Sequence, residues 1–322
     1  MSAVAVGGIV GVTVPVALVA YLWLGELAIR RLPPRWARRI RIGIWLAPAL
    51  ALMTVMLVYP LVRTIMLSFQ DAAGGGFVGL ANYIDTFTQA DTLRALRNNI
   101  LWLVAFTALV TVLGLVVATL GDRVRYEKLV RTVVVLPTAV SFVGAGVIWG
   151  FIYAYDPPGL RQTGTLNAIW TGIFPAADPI AWLADERTVN GALIFIGVWM
   201  STGFAAVILS AAIKGVPADT LEAARIDGAA ESAVFFRVLL PQISSTVVIV
   251  ITLMGINALK VFDVIYVLTN GNYGSQVLAT AMYFELFAAR DVGAASAIAV
   301  VLLAATVPVI VINIRSFRRT SG

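Results

Sequence analysis

Several stretches of about 20 residues carry no charged side chain, and they constrain what this chain can fold into more than any other feature. Residues 99–120, 190–213 and 292–314 contain no Asp, Glu, Lys or Arg. Each is long enough to cross about 30 Å of hydrocarbon as a helix. The alternating segments of about ten residues that mark a transmembrane barrel are not seen. Only 12% of residues are charged and the mean hydropathy is +0.92, against about 25% charge in soluble proteins. The expected class is all-α, a polytopic helical membrane protein.

Seven spans are predicted, at about 4–25, 44–67, 99–120, 132–153, 190–213, 242–264 and 292–314. Between them, four segments hold six, four, three and three basic residues, sixteen of the 23 in the chain. The basic residues of the first are Arg30, Arg31, Arg35, Arg38, Arg39 and Arg41. Those of the second are Arg123, Arg125, Lys128 and Arg131, and those of the tail Arg315, Arg318 and Arg319. Positive charge favours the cytoplasmic side, so the alternation predicts an outside N-terminus and an inside C-terminus. The net charge of +6 is read as topology rather than as a nucleic-acid footprint. The first span lacks the positive n-region of a cleaved leader and reads as a retained helix. In the fourth, Pro137, Gly144 and Gly146 permit a bend or close helix packing. Outside the spans, 76–87 predicts a short interfacial helix and 154–189 a long external loop lying on the membrane.

The most polar long segment in the second half of the chain is 222–241, EAARIDGAAESAVFFRVLLP. Asp219 reads as the N-cap of its first helix, with Glu222 three positions on as an acidic capping-box partner. Gly228 is placed to adopt the left-handed conformation that ends a helix. The chain restarts over 229–238, and Pro241 limits the second helix. Charge topology puts this segment, about 214–241, in the cytoplasm. By itself it reads either as a capped loop between spans or as a docking projection for another surface.

There is no cysteine and no histidine, which removes disulfides, thiol catalysis and histidine-based metal, relay or nucleophile chemistry. No GxxxxGK[ST] phosphate loop is present, so ATP binding by this chain is not expected. An enzyme reading is therefore weak. A purely structural membrane subunit is a further reading, and so is an ion-coupled secondary transporter or channel subunit. The latter would be supported by interrupted spans and intramembrane acids. The spans are nearly acid-free, with Asp263 close to an end.

The 222–241 segment resembles the EAA loop of the inner-membrane permease subunits of binding-protein-dependent ABC importers. The matching positions are Glu222, Ala223, Ala224, Gly228, Val238, Leu240 and Pro241, with valine where isoleucine is usual. Gly215-Val216-Pro217 and Asp227-Gly228-Ala229 resemble the sugar-importer branch. The wider resemblance to the importer permeases includes GLANY at 79–83, Asn98-Asn99, Leu136-Pro137 and Thr269-Asn270-Gly271. The 120–127 and 141–155 segments resemble alpha-glucoside permeases in particular.

The resemblance covers about 44–318 and implies a six-helix permease core, to which 1–43 would add one helix and a basic linker. It implies a second permease subunit, two copies of a cytoplasmic ATPase that use ATP and Mg, and an external sugar-binding protein. The expected setting is the bacterial inner membrane, with this chain holding no cofactor. The loop would dock on the ATPase through Asp219, Glu222, Ala223, Ala224, Asp227, Gly228, Val238, Leu240 and Pro241. A neutral sugar needs hydroxyl-matching groups beside aromatic faces. The candidates are Trp149, Tyr153, Trp199, Ser201, Thr202, Asn257 and Lys260, because polar residues inside a membrane usually face protein or a water-filled cavity.

Overall fold

The computed structural model describes residues 3–30, 33–121 and 125–320, with side chains except at 3–12, 14, 15, 18, 35 and 312–320. Arg31, Asp122 and Arg123 lie outside the described residues, as do the side chains of Arg35, Arg315, Arg318 and Arg319. The chain divides into two compact units, Met1–Met66 and Leu67–Gly322. Among the described residues there is no named strand, only an isolated bridge between Gln70 and Phe77.

The first unit is built from α1 (Ala3–Ile29) and the bulk of α2 (34–67). Pro34 stands at the opening turn of the second helix, where its missing N–H costs nothing. A π-helical turn at Thr54–Val58 lies just before Pro60. Proline removes one i→i−4 bond and crowds the carbonyl four residues back, and a wider turn at that place accommodates both effects. Arg41 clasps the Glu26 carboxylate with two hydrogen bonds of 2.8 and 3.2 Å.

The second unit contains α3 (Ala81–Thr88), α4 (Ala90–Gly121), α5 (Glu127–Ala139), α6 (Phe142–Ile152), α7 (Thr165–Ile173) and α8 (Val189–Lys214). It continues with α9 (Ala218–Ile226), α10 (231–242), α11 (Ser244–Leu259), α12 (Asp263–Thr269), α13 (Leu278–Ala289) and α14 (Val292–Thr320). Among the described residues five helices are long and apolar enough to cross a membrane, or six if α5 and α6 form one broken span. Within the stretch expected to hold a short helix, 76–87, the helix is α3, which starts at Ala81 and ends at Thr88. Asn82 pins it by donating to the carbonyls of Ser68 and Gln70 at 3.0 and 2.8 Å.

The core forms around α8, which packs most extensively on α4. Leu193, Ile196, Ala205 and Leu209 of α8 are fully buried, as is Val110 of α4. The expected fourth span is not one rod, because α5 and α6 meet at 105°. The break follows Pro137: a 3-10 turn covers Leu136–Ala139, Val140 is extended, and Ser141 caps α6 by accepting from the Gly144 N–H at 3.0 Å. Gly203 of α8 packs on the last α-helical turn before this break. A Cβ there would stand 2.3 Å from the Val134 carbonyl oxygen and 2.8 Å from Val135 Cα, so only glycine lets the two backbones touch.

The loop between α6 and α8 is ordered by its own polar groups. Asn167 is buried, donating to the Ala154 and Ile180 carbonyls and accepting from the Ile180 N–H. The Asp156 carboxylate accepts from both the Thr163 hydroxyl and its N–H at 2.7 and 2.9 Å. These bonds hold its pKa below the ordinary value.

Candidate functional site

Two places in the second unit combine exposure with unusual chemistry: the elbow between α8 and α11, and a cavity at the far end of α11.

At the elbow, α9 begins two residues earlier than its sequence suggests. Pro217 occupies the N-cap position and no side chain caps the helix. Asp219 is therefore not the N-cap; it lies in the first helical turn, where a carboxylate still favours the helix dipole. The correction has a physical cause. Pro217 at φ −57° and ψ 128° already directs the chain into the helix, so helical geometry starts at Ala218.

The end of α9 follows expectation. Gly228 has φ +84°. Its N–H bonds to the Arg225 carbonyl at 3.0 Å and the Ala229 N–H to the Ala224 carbonyl at 3.1 Å. This pair of bonds is the Schellman motif, which satisfies the last carbonyls of a helix. Arg225 Nε then reaches across the turn to Glu231 Oε1 at 2.7 Å, stapling α9 to α10. That hydrogen bond, then the charge of Glu231, raises the Arg225 pKa, with a smaller contribution from Glu222.

Glu222, Ala223, Asp227 and Gly228 are exposed, and so is Asp219. Ile226 is 85% exposed at the tip. Ala224 is half-buried, as are Val238 and Leu240 in α10, whereas Val234 and Leu239 are buried. A π-helical stretch at Val234–Leu239 precedes Pro241 and repeats the arrangement seen before Pro60. Pro241 is exposed, and α10 ends one residue beyond it at Gln242.

The cavity, of about 200 Å³, is lined by Trp102 and Phe106 of α4, Phe142 of α6, Gly197 of α8, and 257–264 except Leu259. It thus contains two of the expected sugar-path residues, Asn257 and Lys260, together with Phe262 and Asp263. The Trp102 indole N–H is buried without a hydrogen-bond partner. The other expected residues are not gathered here. Trp149 and Tyr153 line an open depression of about 560 Å³ with Trp182 and Arg187. Trp199 and Thr202 line an apolar one of about 340 Å³ with Pro137 and Phe195. Ser201 is buried and lines none of these three. Tyr153 donates to the Ala192 carbonyl at 3.2 Å and Thr202 to the Val198 carbonyl at 2.7 Å, bonds that serve packing.

Sequence reasoning noted Asn98-Asn99 only within a resemblance, and gave no role to them or to Asn190, the three asparagines that hold this end of the molecule. Asn98 donates to the carbonyls of Gly274 and Gln276, both at 2.7 Å, and Asn190 donates to that of Gly274 at 3.1 Å. Asn99 accepts from the Leu278 N–H at 2.7 Å and donates to the Leu259 carbonyl at 3.3 Å. They fix the 270–278 turn, in which Asn270 and Tyr273 take positive φ, and with it the ends of α11, α12 and α13. A pair of amides opening an apolar run was the available signal.

Among the described residues no group of acids, cysteines or histidines could hold a metal ion. The elbow and cavity are joined covalently. The elbow lies between the end of α8 and the start of α11, and those two helices supply Gly197 and Asn257 to the cavity.

The chain is similar to several known proteins. The osmoprotective compounds uptake permease protein GgtC of Synechocystis sp. is 49% identical over 274 residues, covering 85% of this chain and 98% of that protein. The alpha-glucoside transport system permease protein AglF of Rhizobium meliloti is 44% identical over 299 residues, covering 92% and 88%. In the crystal structure of a bacterial alginate ABC transporter in complex with an alginate pentasaccharide-bound periplasmic protein, one chain superposes with a TM-score of 0.76. It is 21% identical and covers 88% of this chain and 96% of its own length, a likeness of fold. Residues 110–321, which include the elbow and the α8–α14 region, match the family described as binding-protein-dependent transport system inner membrane component. The chain belongs to that family, the membrane permeases of ABC importers.

Proposed function

We propose that this chain is one of two permease subunits of an ATP-driven importer for a neutral sugar, an alpha-glucoside or related di- or oligosaccharide. The sugar reading is supported by the 44% identity to an alpha-glucoside permease over nearly the whole chain. The coupling reading is carried by one observation: the exposed elbow is continuous with both helices that wall the cavity. Hydrolysis in two partner ATPases, which hold the ATP and Mg, moves the docked elbow, and α8 and α11 carry that movement to Gly197 and Asn257. The chain performs no chemistry itself. Glu222 pairs with a basic ATPase residue, Ala223 and Ala224 fit close to its surface, and Gly228 provides the bend beside Asp227. Asp219 contributes charge to the same surface, and Val238, Leu240 and Pro241 set the exit into α11.

In this reading the chain sits in the bacterial inner membrane with seven spans, outside N-terminus and inside C-terminus. Residues 1–43 form an extra helix and linker on a permease domain of 44–318, and an external binding protein delivers the sugar. Within the cavity, Asn257 and Lys260 meet sugar hydroxyls. Trp149, Tyr153, Trp199, Ser201 and Thr202 form part of the wall of the path. Family membership weighs against an ion-coupled carrier or a channel.

A second reading, import of an osmoprotective solute, is favoured by the 49% identity to a permease of that description. Uptake by the assembled complex from a panel of labelled sugars and osmoprotective solutes decides between them. Accumulation of no sugar from that panel would sink the first.

A further inference from the structure

Beyond the cavity, Phe262 at the head of α12, Tyr266 within it and Tyr283 and Phe287 of α13 form a continuous run of aromatic rings. Phe262, which lines the cavity, stacks on Tyr266 with centroids 5.2 Å apart and planes at 17°. Tyr283 stands 5.4 Å from Phe262 and 5.0 Å from Tyr266, and Phe287 lies 4.8 Å beyond Tyr283. None of these four rings is buried, and Phe287 is 64% exposed. The run therefore leads from the cavity wall to the surface without a gap.

Two features point to a polyhydroxylated occupant. The Tyr266 and Tyr283 hydroxyls meet at 3.3 Å on half-exposed edges. One of the two hydroxyls donates to the other, which leaves the second O–H and the remaining lone pairs able to meet a ligand's hydroxyls. A sugar ring instead offers C–H groups to an aromatic face and hydroxyls to its polar edge, and tyrosine supplies both surfaces. The second feature is rigidity. Asn98, Asn99 and Asn190 clamp the turn between α12 and α13, so the rings are held in place before a ligand arrives. Binding to a preorganised surface avoids an ordering cost.

We propose that Phe262, Tyr266, Tyr283 and Phe287 form a stacking track along which a neutral oligosaccharide passes between the exposed face of α13 and the cavity. The inference rests on the sugar reading above. It is tested with the whole complex in proteoliposomes with its binding protein, comparing wild type with Tyr283→Leu, Tyr283→Phe and Phe287→Ala. Aromatic contacts of this kind are worth about 0.5–1.5 kcal/mol, so Tyr283→Leu is expected to raise the KM for uptake roughly 2- to 10-fold. The increase should grow from mono- to di- to trisaccharide, and Tyr283→Phe should recover most of it. Co-purification of the partner subunits is measured in parallel. Normal assembly with a wild-type KM in both Tyr283→Leu and Phe287→Ala overturns the track and leaves the sugar reading standing. Loss of the second permease subunit from either variant assigns the rings to an interface and also overturns it. A wild-type complex that imports osmoprotective solutes but no sugar removes both readings together.

Discussion

Replacing Gly228 with alanine tests the elbow where its geometry is most demanding. Gly228 holds φ +84°, and a Cβ built there has nothing within 4 Å. The penalty of a side chain is thus conformational and not a collision. An L-residue in the left-handed region costs roughly 1–2 kcal/mol, which amounts to about a 5- to 30-fold shift away from the observed turn. Asparagine tolerates that region better than alanine, so Gly228→Asn should recover much of the loss. The assay is retention of the ATPase by the tagged permease at matched expression and subsaturating ATPase, read beside sugar uptake. The expected order is wild type, then Asn, then Ala, with the alanine variant retaining roughly 5- to 30-fold less ATPase. Full retention by Gly228→Ala, or no gain from Asn over Ala, would refute the argument that a left-handed turn shapes the docking surface.

Further outcomes follow from other contacts. Glu222→Ala should insert normally yet lose most ATPase docking and transport; co-purification at wild-type yield would remove Glu222 from the interface. Asn99→Leu strands the buried Leu278 N–H, at a cost of about 1–3 kcal/mol, and should lower the melting temperature of the solubilised complex by several degrees. Asn257→Leu should reduce uptake about 5-fold or more if Asn257 meets sugar, a single hydrogen bond to a neutral group being worth about 1 kcal/mol, while leaving ATPase retention unchanged. Asp156, whose pKa is depressed in the folded loop, contributes order that is fully present above the ordinary carboxylate range. That order is lost only as pH falls through the depressed value. Hydrogen exchange in 156–163 should therefore be insensitive to this group from pH 5 to pH 8, and Asp156→Asn should speed it throughout that window.

The fold was legible where the chain repeats a simple constraint. Uncharged runs placed the long helices of the second unit, and Gly228 marked the turn of the elbow because few residues tolerate its backbone angle. The N-cap was misplaced because Pro217 and Asp219 both suit a helix start, and only the backbone around Pro217 decides between them. The fourth run hid a 105° break, since hydropathy is blind to direction; Pro137 showed that a bend was permitted without showing its size. The cavity was half legible. Asn257 and Lys260 stood out as polar residues late in an apolar run, whereas Trp102 looked like any interfacial tryptophan. Asn98 binds a turn 176 residues away, and no local pattern reports such a distance.

The close backbone contact at Gly203 is placed where a fulcrum for α8 would lie. Gly203 lies eleven residues from Lys214 at the elbow and six from Gly197 at the cavity, arms of about 16 Å and 9 Å at the rise of a helix. If α8 rocks as a rod about that backbone contact, the cavity wall moves opposite to the elbow and by a little over half its displacement. An elbow stroke of about 2 Å would then become about 1 Å at Gly197, with force multiplied in inverse proportion. Spin-label distances at the two ends of α8, taken with and without nucleotide on the ATPases, measure that ratio directly. Equal displacements in the same direction would mean that α8 slides and that Gly203 is no pivot.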